Sequence, residues 1–217
     1  AYLDPADVVP YPDAYVGSDT LHPMEFVADR LHDMGLGSCA IGVEADDYYY
    51  TARWDHILRA RLPEADFRDA FLLVNRCRMV KSPREIDYMR EAGTIAAAAQ
   101  RAAFAAMAPG VRQCDVMAEV YRVTTAGTEE HGGTFPCKPP NAMVGERCSA
   151  PHLSWTDEKL AEGDLFYIEL GGIRHRYHSP LSRCHHLGPA PAELRRLAEV
   201  IAEGLEAVLG TVRAGRT

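Results

Sequence analysis

Apolar and polar positions follow two different periods along this chain, and the change from one to the other outlines its organisation. Between His22 and Gly35 the apolar residues Phe26, Leu31 and Met34 recur on a roughly helical period, and Gly35 and Gly37 act as stop signals. The run Ser38 to Glu44 reads as a buried strand. A helix is predicted from Tyr50 to about Arg61, ended by Pro63, and Asp69 to Met79 reads as a second strand. Helix, strand, helix, strand is an α/β pattern.

The clearest local signal is Ser82-Pro83-Arg84-Glu85. Ser82 is suited to an N-cap, Pro83 to the first helical position and Glu85 to closing a capping box. The helix that starts there is predicted to reach about Met107, before Pro109 and Gly110, and a second helix covers about Cys114 to Thr125. A Gly- and Pro-rich run, Gly127 to Pro140, gives way to short strand-like pieces at about 142–144, 164–170 and 181–187. A third long helix starts near Pro191, with Leu194, Leu197, Ile201, Leu205, Val208 and Val212 spaced three and four apart. The pattern changes near Val80 and Lys81, so the expected domains are residues 1–80 and 81–217. The ends of the first and third long helices, Met107 to Val111 and Val212 to Thr217, resemble each other, as if a second copy of the series began at the third helix.

Composition narrows the function classes. With 217 residues, 47% of them apolar, the chain can bury a substantial core. A formal charge of −8 with dispersed Lys and Arg argues against nucleic acid and favours a small-molecule partner. The six cysteines include no C-x-x-C pair, which fits reduced thiols and a cytoplasmic setting. The opening residues carry acids and prolines where an export signal would carry a basic then apolar run, and the Ala-rich stretch Ile95 to Met107 is interrupted by Gln100 and Arg101. No membrane partner is expected. The first residue is not Met and the opening reads as loop, which is the pattern of a chain starting inside a longer protein.

The stretch Asn141 to Gly188 carries the chemistry. His152 precedes the turn Glu162-Gly163-Asp164, Glu169 follows the apolar run Leu165 to Ile168, and His152, Glu169 and Pro180 stand seventeen and eleven residues apart. This stretch, together with the helix entry Lys81 to Ala92, resembles the first half of the pita-bread fold of the creatinase/aminopeptidase P (M24-type) family. In its metal-dependent members the resemblance places a histidine and two aspartates at those three positions. Pro180 offers no ligand, and one carboxylate at Glu169 cannot hold two ions. The resemblance therefore implies the metal-free branch, with no cofactor. Ser182 stands where creatine-splitting members carry an acid. The run Ile168 to Gly172 with Tyr177 to Arg183 is most similar to relatives that open the cyclic amidine ectoine. Segments YPDAYVG, HPMEFVADRL and IGVEADDYYYTAR resemble the N-terminal domain of those relatives.

The implied fold class is a partial α/β N-terminal domain followed by a truncated α+β pita-bread domain. The implied reaction is metal-independent water attack on ectoine, or a related amidine or amide, giving N-acetyl-L-2,4-diaminobutyrate, in a homodimer. The alternatives are an X-Pro dipeptidase or creatinase-like hydrolase and a non-catalytic binding module of the same fold.

His152 follows Pro151 in a region of poor helix and strand propensity, so it is expected on a loop facing a pocket. An imidazole can take a proton from water and return it to a leaving nitrogen; a surface histidine is the plain alternative. Glu169 needs a partner if buried. It either holds the amidinium or orients His152, or it pairs structurally with Arg174, Arg176 or Arg183. Tyr177 and His178 are the substrate-binding candidates, but neighbours in a strand face opposite ways, and His178 is preferred. His175, Cys184, His185 and His186 suggest zinc by residue type, yet adjacent His185 and His186 would diverge, so a solvated strand end fits better. Asp46, Asp47 and Tyr48 to Tyr50 suit an interface less well than ordinary packing.

Overall fold

His22 starts the first helix, since its backbone is extended and its Nδ1 accepts the Met24 N–H at 3.1 Å, capping α1 (Pro23–Asp33). Strand β1 (Ala40–Val43) follows, then α2 (Ala52–Arg61), whose cap is the Thr51 hydroxyl accepting from Trp54 N–H, then β2 (Asp66–Asp69) and α3 (Leu73–Met79). These belong to one unit, Ala1–Val80, of the computed structural model, which describes residues 3–216; the second unit is Lys81–Thr217. In the first unit β1 and β2 run parallel, pairing Ala40 with Asp66 and Val43 with Asp69, and α2 forms the crossover between them. Its core is small: Ala28, Leu58 and Leu62, with Met24, Val27, Leu31, Ile41 and Phe67 around them.

One expectation fails here. The second strand lies at residues 66–69, and most of the segment predicted as strand is α3. Asp69 Oδ1 accepts the Phe71 N–H at 3.0 Å, and Leu72 takes a left-handed φ of 60°, so the chain turns where a continued strand was expected. A short apolar run does not by itself distinguish strand from helix. On α1 Ala28 is buried, with Met24, Val27 and Leu31 partly buried on the same face; Met34 caps the helix end and is exposed.

In the second unit Ser82 and Glu85 form the expected capping box, the Ser82 N–H donating to Glu85 Oε2 at 2.6 Å, and α4 (Pro83–Ala106) begins there. Ala92, Ile95, Ala96, Ala99 and Ala103 give it a buried face of mostly small residues. α5 (Gln113–Ala126) packs Val116, Met117, Val120 and Val123 into the same core. The core is closed by an antiparallel sheet of β3 (Asn141–Val144), β4 (Leu165–Arg174) and β5 (Tyr177–His186), in that order. β4 and β5 are longer than the sequence pattern indicated, because they form one hairpin closed by His175 and Arg176, with φ of 47° and 72°. Two residues of positive φ make the tight turn that suits the strand twist.

The contact between α4 and the sheet is unusually close. A Cβ on Gly172 of β4 would collide with the backbone oxygen of Ala92 and the backbone nitrogen of Ala96. Small residues on the helix and none on the strand let the two backbones approach. Finally, α6 (Ala192–Thr211) is strongly amphipathic, yet Leu197, Ile201, Leu205 and Val208 are each 54–62% exposed. No described helix is long and apolar enough to cross a membrane.

Candidate active site

Alternation along β4 sets the site. Phe166, Ile168 and Leu170 point into the core, so Tyr167 and Glu169, each offset by one residue, stand together on the opposite face. The Tyr167 hydroxyl donates to Glu169 Oε2 at 3.1 Å and also lies 3.3 Å from Ser182 Oγ, which the register sets directly opposite Glu169 on β5. Pro180 and His178 follow on the same face of β5 at alternate positions. Among the described residues β5 is an edge strand of the sheet, a position where a proline is tolerated.

Glu169 is the hub. Its partner is Lys138, whose Nζ lies 3.4 Å from Oε1, and none of the three arginines considered from sequence fills that place. Arg174 Nε donates to Glu91 on α4 at 2.8 Å, Arg176 lies over the Phe135 ring and Arg183 donates to the Ser182 carbonyl. Burial pushes the Glu169 carboxyl upward, but the Tyr167 hydroxyl, the Lys138 ammonium and the Asn141 amide together hold it below the usual carboxylate range. Asn141 is its neighbour across the β3–β4 ladder, and its amide favours the ionised carboxylate although its buried Nδ2 makes no hydrogen bond of good geometry. Lys138 escaped sequence reasoning because it sits in an aperiodic loop 31 residues from its partner. The nearest local signal is its setting between Pro136, Pro139 and Pro140, which stiffens the backbone there.

His152 lies on the expected loop, after the 3-10 turn Gly145–Ser149, with a left-handed φ of 60°. Non-glycine residues in that region are uncommon, and such strain gathers at functional sites. Its Nε2 is 4.0 Å from Glu169 Oε2, too far for a hydrogen bond but close enough for both groups to act on one small molecule. They line a cleft of about 410 Å³ with Met143, Cys148, Tyr167 and Cys184. Burial pushes both thiols up, and Cys148 Sγ donates to the Met143 carbonyl at 3.3 Å, so neither is an activated nucleophile. Burial likewise raises the Tyr167 phenol, which leaves it a proton donor to Glu169. Glu169 also lines a second cavity, of about 200 Å³, with Lys138, His178, Pro180 and Leu170.

The two substrate-binding candidates separate as strand alternation requires. Tyr177 turns toward α4, where its hydroxyl donates to Glu85 Oε1 at 2.8 Å and its ring lies near Tyr88, so it does not join the cleft. His178 lines the smaller cavity, but both its nitrogens are engaged: Nδ1 with the Arg176 carbonyl at 3.0 Å, and Nε2 with the Cys137 N–H at 3.4 Å. Its visible task is to tie the proline-rich loop to β5. The other histidines are dispersed, His175 against Tyr88, His185 stacked on Phe104 and His186 on the Gly188 carbonyl. Among the described residues no three His, Cys, Asp or Glu side chains gather as metal ligands would. A dinuclear donor set does not fit here, since Glu169 brings one carboxylate and Pro180 none.

Residues 87–217 match the model of metallopeptidase family M24. An uncharacterized hydrolase/peptidase, y4tM, of Sinorhizobium fredii is 44% identical over 97% of this chain and 54% of its own length. Ectoine hydrolase of Halomonas elongata is 37% identical over 99% of this chain and 55% of its own. The chain thus spans about half the length of the curated relatives it matches. Among solved structures, an Xaa-Pro dipeptidase from Bacillus anthracis superposes with a TM-score of 0.76 at 23% identity, covering 91% of this chain and 53% of that one. This likeness shows a shared fold.

Proposed function

The chain belongs to metallopeptidase family M24, and from that premise we propose that the whole protein is a metal-independent hydrolase that opens the cyclic amidine ectoine. The observation that carries the reading is the single carboxylate of Glu169, held ionised between Tyr167 and Lys138 and facing His152, where Pro180 removes the second ligand of a metal pair. The 37% identity to an ectoine hydrolase supports the substrate. A carboxylate kept below its usual pKa is a good receptor for a planar amidinium.

In this mechanism Glu169 binds the cationic amidine and turns its central carbon toward the larger cleft. His152 removes a proton from water as the oxygen adds to that carbon. The tetrahedral adduct then expels one ring nitrogen, the carbon–nitrogen bond breaks, and His152 returns the proton to the leaving nitrogen. The product is an N-acetyl-diaminobutyrate. Tyr167 keeps Glu169 oriented, and His178 supports the cavity wall. We place the enzyme in the cytoplasm and as a homodimer, in keeping with the scattered cysteines and with the resemblance to metal-free relatives.

The test is His152→Ala in the intact protein. Loss of an acid–base group costs on the order of 100- to 10,000-fold in rate, so kcat should fall by that factor while KM changes little. Turnover close to that of the parent would remove His152 from the mechanism. A parent that ignores ectoine but cleaves X-Pro dipeptides would replace the substrate and leave the fold standing.

A further inference from the structure

We propose that Lys138 binds the carboxylate of the substrate, and that its ion pair with Glu169 marks the two ends of a site for a zwitterion. This rests on the amidine reading above. In the free protein Lys138 and Glu169 satisfy each other at 3.4 Å. A ligand carrying an amidinium at one end and a carboxylate at the other replaces that pair by two, its cation on Glu169 and its anion on Lys138. No charge is left unpaired by the exchange, and the bond given up is a weak one, since half of the Lys138 side chain is exposed to water.

The surroundings suit such a ligand. Lys138 and Glu169 line one cavity whose other walls are largely apolar, among them Pro136, Pro180 and Leu170. The Lys138 backbone is anchored, because prolines at 136, 139 and 140 restrict the loop and His178 Nε2 accepts the neighbouring Cys137 N–H. Its four-carbon side chain still has room to swing. The arginines of the hairpin have other partners: Arg174 is held by Glu91 and the Gly132 carbonyl, and Arg176 lies over Phe135. This also assigns His178 a part as a positioning residue, holding the loop that presents Lys138.

Titration calorimetry on the intact protein tests the assignment, with His152→Ala added to parent and variants alike so that turnover does not mask binding, using ectoine and the same ring without its carboxylate, 2-methyl-1,4,5,6-tetrahydropyrimidine. Lys138→Ala should weaken ectoine binding about 10- to 100-fold, as for a lost bond between charged groups, and leave binding of the carboxylate-free ring unchanged or tighter. Lys138→Arg should keep ectoine affinity within a few-fold of the parent. Equal weakening of both ligands, or of neither, overturns the proposal. If the parent binds ectoine with the expected pattern but does not hydrolyse it, the hydrolase reading falls and the carboxylate site stands. If ectoine is hydrolysed and Lys138→Ala binds it like the parent, the carboxylate site falls and the hydrolase reading stands. Failure of the parent to bind ectoine overturns both.

Discussion

On one face of β4, Phe166, Ile168 and Leu170 are buried against the helices, while on the other Tyr167 and Glu169, one residue out of step, stand in a cleft open to solvent. The helix face is governed by packing. Its geometry is set so tightly that even a glycine is required, at Gly172. The cleft face is governed by charge and hydrogen bonding: a carboxylate, a phenol, a lysine and a histidine, none of which the core needs. A single strand thus separates the face that packs the core from the face that carries the proposed site, and substitutions on its two faces should have different consequences.

The largest effect on folding is expected from Gly172→Ala. The new methyl meets the backbone of Ala92 and Ala96, which cannot yield as a flexible side chain would, so the helix must lift from the sheet. Overpacking of this kind costs about 3 kcal/mol or more when backbone has to move. Denaturant unfolding measures it, and a stability within 1 kcal/mol of the parent would mean that α4 does not sit on β4 this closely.

The opposite face should be far more tolerant. Glu169→Gln is expected to lower stability by less than about 1 kcal/mol, because its partner Lys138 is half exposed and such pairs are screened. The pH dependence has a definite sign. The Glu169 carboxyl is held below its usual range in the folded protein, so its contribution is complete above the unfolded carboxylate pKa of about 4.3 and is lost as pH falls through the lower folded value. The small difference between parent and variant should therefore be present at pH 7 and vanish in strong acid. A difference that grows on acidification contradicts this environment for Glu169.

The same division explains what the sequence could reveal. Features written in consecutive residues were legible: the Ser82 to Glu85 capping box, the helix endings and the alternation that separates His178 from Tyr177. Those that depend on distant partners were not. The apolar run after Asp69 looked like a strand because nothing local announced that the Asp69 side chain and the left-handed Leu72 would turn the chain. Met34 fits the helical period but lies at the helix end, where it remains exposed. Within the candidate site, His152 and Glu169 were marked by the family resemblance, whose positions they occupy. Lys138 was not, since a lysine among prolines has no period and its role appears only when the loop folds back on β4. Likewise, the need of Glu169 for a partner followed from burial, but the identity of the partner did not.

The central claim is that this cleft works through one carboxylate and a histidine, with no bound metal. Its most direct test is ectoine turnover by the intact protein before and after exhaustive dialysis against chelator, with elemental analysis of the same samples. The account predicts well under one divalent ion per chain and an unchanged kcat. One or two tightly bound ions per chain, with activity lost on their removal and restored on their return, would contradict it.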